Sequence, residues 1–496
     1  MTLSILIWLP LVLTLIATRL PRAWVGRGAA LGTIITLGVG ISFLARFNTG
    51  HAGLQFVTDK IWIRSLGVHY KLGIDGLNIA LILLTCILFS ASLIWASFRE
   101  WERPRLFYFH FGLAQSAVLG AFCAQDLVLF VAFFDLMLIP FYFLIGTWGT
   151  GPDRVRATTK LVIYTLIGSF FMLVGAIATG VLASSQHGTP LTFALSSLQH
   201  LPLSKTSQEW IFLCFAAAFL VKMPLVPFHG WLADGYKSMP IPAVAVFSGV
   251  LSKVAAYGFL RIVLPLFPAA TAHFQMLMLL IALLSIVWAT AVAFTTTEAR
   301  LVVAYSSVAQ LGFITLGIFS LRPQGVQGAL LQMVNHGLVT APLFFIVAAL
   351  AARSGGSEDI RDMGGMAFRA PVLASLFLIV ALATLAMPGS SNFVGEFLIL
   401  LGVFKSKLVI AVIAFSGVVG AAVYALRIFI TTMHNRVGRA VTSRDIEWRE
   451  SAAVVPLVAV ILVLAFYPQF FLKRSEPTVK QTVAAVTSSP VRIAQR

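Results

Sequence analysis

The sequence predicts an all-α polytopic membrane protein, a single membrane domain over residues 1–496, and three observations favour this class. Hydrophobic residues make up 59% of the chain and charged residues only 11%. The mean hydropathy of +0.94 leaves too little polar surface for a soluble globular protein of ordinary composition. Long apolar runs recur from one end of the chain to the other, so these runs belong to one membrane domain.

A membrane-spanning helix needs about 20 apolar residues, and the chain contains fourteen such stretches. The predicted spans are 3–18, 28–45, 74–98, 106–124, 126–147, 157–183, 209–231, 240–262, 272–294, 300–320, 327–352, 371–404, 407–433 and 452–472. The first run has no basic region before it and no small-residue cleavage site after it, so we interpret it as a retained span. The segments between the spans are too short for an independent enzyme domain.

The net charge of +17 is spread over many short loops and includes no Lys/Arg-rich run with interleaved aromatics. This pattern indicates membrane orientation and contact with anionic lipid, and we predict no nucleic-acid partner. The three cysteines lie singly in apolar spans, so this chain alone cannot provide four thiolates for an iron–sulfur cluster.

The distribution of lysine and arginine predicts the orientation, because positively charged loops stay in the cytoplasm. Loops after odd-numbered spans carry about 18 of these residues and loops after even-numbered spans about 8. Both termini are therefore expected on the non-cytoplasmic side. The tail opposes this orientation, although charges after many fixed spans have little influence; its basic residues are Lys473, Arg474, Lys480, Arg492 and Arg496.

Two predicted spans are interrupted. The seventh contains Pro224 and Pro227, and the twelfth contains the sequence MPGSSNF at 387–393. The two breaks lie five spans apart, an odd number, which predicts two five-helix repeats of opposite topology, spans four to eight (106–262) and nine to thirteen (272–433). The alternative is that each proline makes a kink that serves only packing.

Four ionisable residues lie well inside apolar spans, where a charge costs about 2.5–3.5 kcal/mol at the bilayer centre. They are Asp135, Lys222, Lys253 and Glu396. His229 and His336 add two side chains that titrate near neutral pH. This set indicates a proton-transfer chain through the membrane, in which Asp135 sets the proton affinity of Lys222.

Each of these residues also has a structural interpretation. Asp135 and Lys222 are also consistent with a static salt bridge, Lys253 with a side chain that snorkels to the interface, and Glu396 with a protonated packing residue. The two histidines are also consistent with a role in holding backbone at a break.

The sequence contains no motif for nucleotide or metal binding that would favour a different function. The chain has no GxGxxG pattern between a strand and a helix and no Walker A motif, so we predict no nucleotide site. The histidines lack HxxxH or HxxE spacing, which gives metal binding little support. Haem ligation by histidines on facing helices stays open.

Several motifs resemble those of the antiporter-like membrane subunits of respiratory complex I, especially the subunit M branch, in which the twelfth span carries a glutamate. The similarity covers about residues 72–436, and its most specific part is the string VKMPLVPFHGW at 221–231. The other matching strings are FDLMLIPFY at 134–142, GVLSK at 249–253, YSSVAQLG at 305–312, NHG at 335–337 and GEF at 395–397.

This resemblance implies fourteen helices in two inverted repeats and proton pumping that is driven by quinone reduction in other subunits. It assigns the proton-transfer roles of the family to Asp135, Lys222, Lys253 and Glu396. It also implies a bacterial inner membrane location, contacts with other membrane subunits, including neighbouring antiporter-like ones, and no cofactor in this chain. NADH, FMN, iron–sulfur clusters and quinone are expected in partner subunits of this translocase.

The chain departs from the family pattern at three positions. Asp135 stands where the family usually has the longer glutamate, and Gln310 and Tyr236 stand where histidine is frequent. These departures leave open a degenerate subunit with only a structural role. Two further rivals stay open because the same module works there without NADH: a subunit of a multisubunit Na⁺/H⁺ antiporter and a subunit of a membrane-bound hydrogenase.

Overall fold

The structure is a computed structural model that describes residues 2–487, so Arg492 and Arg496 of the tail lie outside it. In this part of the chain, eleven helices are long and apolar enough to cross a membrane. Three shorter apolar helices, α1, α18 and α19, accompany them, at Leu3–Ala17, Pro371–Thr384 and Ser391–Phe404. The chain is therefore an integral membrane protein, mostly helical, as predicted.

Most of the long helices begin and end within a few residues of the predicted spans, whereas α9 and α21 end well before the predicted bounds of 231 and 472. Besides α1, the helices of the N-terminal half are α2 (Val25–Ala45), α3 (Ile79–Ser97), α4 (Pro104–Cys123), α5 (Leu127–Leu136), α6 (Leu138–Trp148), α7 (Arg154–His187), α8 (Leu195–Leu198), α9 (Lys205–Lys222), α10 (Leu232–Ser238), α11 (Ile241–Val246), α12 (Ser252–Gly258), α13 (Leu264–Leu266) and α14 (Pro268–His273). Those that follow, besides α18 and α19, are α15 (Gln275–Thr295), α16 (Ala299–Phe319), α17 (Pro323–Arg353), α20 (Leu408–Met433), α21 (Trp448–Phe466) and α22 (Gln469–Thr487).

The prediction of an all-α chain is wrong between α2 and α3. Two antiparallel strands, β1 (Gln55–Ile63) and β2 (Val68–Ile74), form a hairpin there. The strands are rich in β-branched and aromatic residues, and Gly67 adopts the left-handed conformation, with φ of 61°, that the connection requires. The segment is too short to span a membrane, and its alternating polar and apolar residues did not lead to a strand prediction.

Both predicted interruptions are present. Helix α9 ends at Lys222, and regular helix resumes only at Leu232, because the two prolines in between cannot donate backbone hydrogen bonds. Helices α18 and α19 are separated by residues 385–390, where Gly389 has φ of 92°. Part of each break is exposed on the surface of this chain, at Pro227 in the first and at 387–389 in the second, whereas the helix ends beside the breaks are buried.

Two further interruptions were not predicted. The fifth span bends at Met137, between α5 and α6. The eighth span contains two π-helical turns, Phe247–Leu251 and Phe259–Val263, on either side of α12. A π-helical turn is frequent at functional sites because it shifts the hydrogen-bond pattern and frees a carbonyl group. Here the two turns flank Lys253.

Helix α22 packs along one end of the molecule and contacts parts of the chain that are far away in sequence. Thr478 Oγ1 donates to the carbonyl oxygen of Ala52 at 3.0 Å and accepts from the backbone N–H of Gly76 at 3.3 Å. Gln327 in α17 donates to the carbonyl oxygen of Leu472 at 2.9 Å. The helix therefore connects the segment before α3 with α17.

The centre of the molecule is formed by helices that are buried almost all round. These are α3, α16, α17 and the interrupted helix Ile241–Leu266. Helices α2, α7, α15 and α20 expose apolar side chains along much of their length, as expected for lipid-facing helices. Lys253 and His336 lie in the central layer and are almost completely buried.

Candidate functional site

Lys222 is the last residue of α9, at the seventh-span break. Its side chain is buried, and its ammonium lies 4.7 Å from the centroid of the Phe134 ring, a cation–π contact. The Trp231 indole donates to the carbonyl oxygen of Val221 at 3.1 Å, which satisfies one acceptor that the end of the helix leaves free. The break thus places a cation in the interior without a direct anionic partner among the described residues.

Asp135 lies at the bend of the fifth span, close to Lys222 but not in an ion pair with it. Its Oδ1 accepts a hydrogen bond of 2.5 Å from Ser169 Oγ in α7. Lys222 and Asp135 still interact electrostatically. The shorter acid thus binds Ser169 and makes no ion pair with Lys222, and Ser169 is a partner that was not identified from the sequence. No signal in the sequence distinguishes this serine from the others in α7.

Lys253 lies in α12 and is completely buried. Its Nζ donates to the carbonyl oxygen of Ser248 at 2.5 Å, in the π-helical turn that precedes it. The Ser248 hydroxyl lies 3.2 Å from that of Ser307 in α16. Because the side chain turns back onto its own helix, Lys253 does not snorkel to the interface. The structure therefore contradicts the structural alternative for this lysine.

A close helix crossing places His336 opposite Lys253. A Cβ atom on Gly337 of α17 would lie 2.6 Å from the carbonyl oxygen of Gly249, so only glycine fits at this crossing. His336 Nε2 lies 3.0 Å from the Thr340 hydroxyl, whereas Nδ1 has no protein partner within the described chain. His336 and Lys253 interact electrostatically across the crossing.

Glu396 in α19 belongs to a network of side-chain amides. Gln310 Nε2 donates to Glu396 Oε1 at 2.7 Å, and Gln332 Nε2 donates to Gln310 Oε1 at 2.8 Å. All three side chains are buried. Gln310, which replaces the histidine that is frequent in the family, thus contacts the twelfth-span acid directly. Sequence analysis named Gln310 only as a departure and did not identify Gln332.

Polar atoms without a protein partner in residues 2–487 cluster between His336 and Glu396. Asn335 bridges the two sides, because its side-chain amide donates to the carbonyl oxygen of Ser391 at 2.5 Å. Seven of the unpartnered atoms lie in this region: His336 Nδ1, Asn335 Oδ1, Ser390 Oγ, Ser391 Oγ, Asn392 Oδ1, Gln332 Oε1 and Glu396 Oε2. Most lie at the twelfth-span break or on the part of α17 that faces it. These atoms give the break and the facing part of α17 a polar lining.

His229 lies apart from this lining, within the seventh-span break. Its ring is 4.2 Å from that of Trp288 in α15, and its Nδ1 has no protein partner in the part of the chain that is described. The nearest charge that acts on it is Lys160, which pairs with Asp234 at 2.7 Å. Tyr236, the third departure from the family, is buried near the Ser248 hydroxyl.

Three buried arginines were not singled out from the sequence. Arg261 pairs with Asp75 at 2.5 Å, and Arg353 pairs with Glu450 at 2.7 Å. Arg300 pairs with Glu358 and also donates to three backbone carbonyl groups at the end of α10. All three arginines are paired with a carboxylate, which indicates a structural role. Within residues 2–487, no group of three or more His, Cys, Asp or Glu side chains could hold a metal ion.

Comparison with known proteins places this architecture in a family. Residues 124–422 match the model of the family described as NADH:quinone oxidoreductase/Mrp antiporter, transmembrane. NADH-quinone oxidoreductase subunit M of Rhodobacter capsulatus is 36% identical, and the alignment covers 97% of this chain and 96% of the relative. NADH-ubiquinone oxidoreductase chain 4 of Marchantia polymorpha is 31% identical over 97% of both chains.

Solved structures show the same fold. A chain in the structure of respiratory complex I from Thermus thermophilus with bound NADH is 31% identical and has a TM-score of 0.89, with 98% of this chain and 100% of that chain covered. The Mrp complex from Dietzia has a TM-score of 0.81 at 18% identity, over 99% of this chain and 56% of that chain, which shows a shared fold. The chain therefore belongs to the NADH:quinone oxidoreductase/Mrp antiporter family of membrane proteins, in the branch of the NADH-quinone oxidoreductase M subunits.

Proposed function

We propose that this chain carries protons across the membrane as one subunit of a complex I-type NADH:quinone oxidoreductase. The observation that carries the proposal is a set of ionisable side chains on interrupted helices, of which Lys222, Lys253 and Glu396 are buried and Asp135 is half-buried. Asp135, Lys222 and Lys253 each lie within one helical turn of a bend, break or π-helical turn, and Glu396 lies in the second turn of α19, after the twelfth-span break. Intramembrane ionisable residues are costly and mark ion pathways, and these four occur in a family of respiratory proton carriers.

The first step of the proposed transfer uses the separation of Asp135 and Lys222. When Ser169 holds the carboxylate, the buried ammonium lacks a close counter-charge and releases its proton more readily. When the carboxylate turns towards Lys222, the protonated form is favoured. The two positions make Lys222 a switch that loads and unloads a proton, and His229 lies at the same break as a candidate for proton uptake.

The later steps use the polar lining between Lys253 and Glu396. His336 stands across the helix crossing from Lys253, with Nδ1 free of protein partners in the described part of the chain. Buried polar atoms usually hydrogen-bond to water when no protein group is available. We infer that water joins His336 to Glu396 along Asn335, Ser391 and Asn392. Gln310 and Gln332 then orient the acid rather than relay the proton themselves.

The proposed transport path follows the symmetry expected from the sequence. We assign fourteen spans, with inverted five-helix repeats at 106–262 and 272–433, because the α9 break and the α18–α19 break fall in corresponding spans. The bias of basic residues supports an orientation with both termini on the non-cytoplasmic side of a bacterial inner membrane.

We assign the redox chemistry to partner subunits. NADH, FMN, iron–sulfur clusters and quinone would bind there, and quinone reduction would drive this chain through its contacts with neighbouring membrane subunits, including antiporter-like ones. The chain's own residues hold and move protons. The enzyme activity is therefore that of the whole complex.

The proton-to-electron stoichiometry of the complex in sealed vesicles tests the proposal. Lys222→Ala and Lys253→Ala should each lower the stoichiometry or abolish coupled turnover, because each removes a proton carrier. Lys60→Ala, on an exposed position of β1, is the matched control and should pump normally. Unchanged stoichiometry in both carrier variants would instead favour the degenerate structural subunit.

A second function, cation exchange in a multisubunit Na⁺/H⁺ antiporter, is favoured by the shared fold with the Mrp complex. A membrane-bound hydrogenase would use the same module. Proton uptake measured in sodium-free medium discriminates, since a complex I-type subunit should not require sodium. Proton pumping that stops without sodium would support the antiporter instead.

A further inference from the structure

A basic cavity lies at one end of the molecule, far from the proton-transfer residues. It has a volume of about 630 Å³ and is formed by the α1–α2 loop, the α3–α4 loop and the beginning of α21. Four arginines line it, contributed by three separate segments of the chain: Arg22, Arg27, Arg99 and Arg449. Convergence of these segments, rather than a local run of basic residues, concentrates the charge.

The positive charge of this cavity is not neutralised within the described chain. None of the four arginines forms an ion pair or donates a hydrogen bond to another described residue. Glu100 is the one acid in the lining, and it is exposed. Arg99 also interacts with Glu450, but Arg353 already binds that carboxylate. By contrast, the cavity next to α22 contains Arg261 with its charge paired to Asp75.

Tryptophans surround the charge. Trp448 lines the cavity and is 68% exposed, and Trp24 is 55% exposed next to it. Arg449 and Arg27 lie over these two rings, at 5.6 and 4.9 Å from the ring centroids. Exposed tryptophans beside arginines are typical of the membrane–water interface. The cavity therefore lies at the level of the lipid headgroups, beside lipid-facing helix α2.

We propose that this cavity binds the phosphate headgroup of an anionic phospholipid. The guanidinium group matches a phosphate with two parallel hydrogen bonds, and it loses less hydration energy on binding than an ammonium group does. Basic pockets between helices near the cytoplasmic surface suit such headgroups. The acyl chains would run along α2, which begins beside the cavity and exposes Leu31, Ile34 and Ile35. The lipid would join the first two helices to α21.

The test compares lipid retention by the purified complex. Arg27→Gln/Arg99→Gln removes two cavity charges, and Arg436→Gln/Arg439→Gln removes two exposed charges from the loop after α20 as a matched control. The complexes are stripped with detergent and titrated with phosphatidylglycerol or phosphatidylcholine, and bound lipid is counted by native mass spectrometry. Each arginine should contribute about fivefold to affinity, so the cavity variant should bind phosphatidylglycerol about 25-fold more weakly.

The control should bind within about twofold of the wild-type complex, and phosphatidylcholine should show no difference between variants. Equal phosphatidylglycerol binding by the cavity variant and the control would overturn the proposal. Titration with inorganic phosphate forms a separate arm: if phosphate alone displaced the lipid or bound as tightly, the site would be a free-anion site. If the double variant did not assemble, Arg449→Gln alone should weaken binding about fivefold, and an unchanged affinity would refute the assignment.

Discussion

Gln310 donates a hydrogen bond of 2.7 Å to Glu396, and this contact joins α16 to the second half of the broken twelfth span. A glutamine presents a donor and an acceptor at once, so Gln310 can bind the carboxylate while its oxygen accepts from Gln332. The network fixes the orientation of Glu396 Oε1 and leaves Oε2 without a protein partner in the described chain. Gln310, at a position where histidine is frequent in the family, thus orients the carboxylate of Glu396.

Gln310→Leu should impair proton transfer through Glu396. The substitution removes a hydrogen bond to a carboxylate, typically about 1.5–3 kcal/mol, which corresponds to about tenfold or more in the rate of the affected step. Initial rates of quinone-driven proton pumping in vesicles provide the measurement. Gln310→His should retain most activity, because imidazole also donates to the carboxylate. Normal pumping by Gln310→Leu would contradict the positioning role.

Asp135 should be replaceable by glutamate but not by asparagine. Asp135→Asn removes the negative charge that acts on Lys222, and we expect at least about a tenfold loss of coupled pumping. Asp135→Glu adds one methylene and should restore a direct contact with Lys222. Proton-to-electron stoichiometry measured across pH 6 to 9, a range of about three units around neutrality, reports both effects. Wild-type behaviour of Asp135→Asn would show that the acid is dispensable.

Gly337→Ala should destabilise the central layer of the protein. The added Cβ atom would meet the Gly249 backbone at 2.6 Å, so α17 and the eighth span would have to separate. Overpacking of this kind typically costs about 1–3 kcal/mol. Thermal denaturation of the purified complex measures the effect. Gly38→Ala is the control, since its Cβ would have no atom within 4 Å. Equal thermal stability of the two variants would refute the tight crossing.

Asp445 should stabilise the beginning of α18 in a pH-dependent way. Burial opposes its charge, but three backbone N–H groups outweigh burial and hold the pKa of Asp445 below its ordinary range. Two of them, at Val372 and Leu373, belong to the first turn of α18, at 2.9 and 3.0 Å. Because the pKa is lower in the folded state, the stabilisation is present at neutral pH and is lost as the pH falls below about 4.

Asp445→Ala should therefore lower the free energy of unfolding at pH 7 by about 0.5–2 kcal/mol, the usual contribution of a helix cap. The difference from the wild-type complex should shrink as the pH falls below about 4. Asp153→Ala is the matched control, because Asp153 precedes α7 without a side-chain cap hydrogen bond. A loss of stability that did not depend on pH would exclude the charge of Asp445 as its cause.

The sequence predicted the membrane class, the breaks and the buried ionisable residues, because each depends on a local property. Prolines end helices wherever they stand, and a lysine such as Lys222 is conspicuous in an apolar run. Composition and motif similarity were therefore sufficient to locate Lys253 and Glu396 as well. The contacts of these residues could not be derived in the same way.

The partners were missed because they are ordinary polar residues brought together only by the tertiary fold. Ser169 and Gln332 have no special spacing in the sequence. The π-helical turn before Lys253 has no proline to indicate it, yet it determines where the ammonium points. The hairpin after α2 was missed because its strands are shorter than any span. The sequence thus identified individual candidate residues reliably, but it did not show which residues contact one another.

The contacts of α22 impose an order on biosynthesis. Thr478 binds the carbonyl group of Ala52 across a separation of 426 residues. This contact cannot form until the ribosome has released nearly the whole chain, although the helices on which α22 packs are inserted much earlier. The segment before α3 therefore lacks its contact with α22 until translation is almost complete. Truncation before α22 would leave a membrane-inserted protein that never completes this last step of assembly.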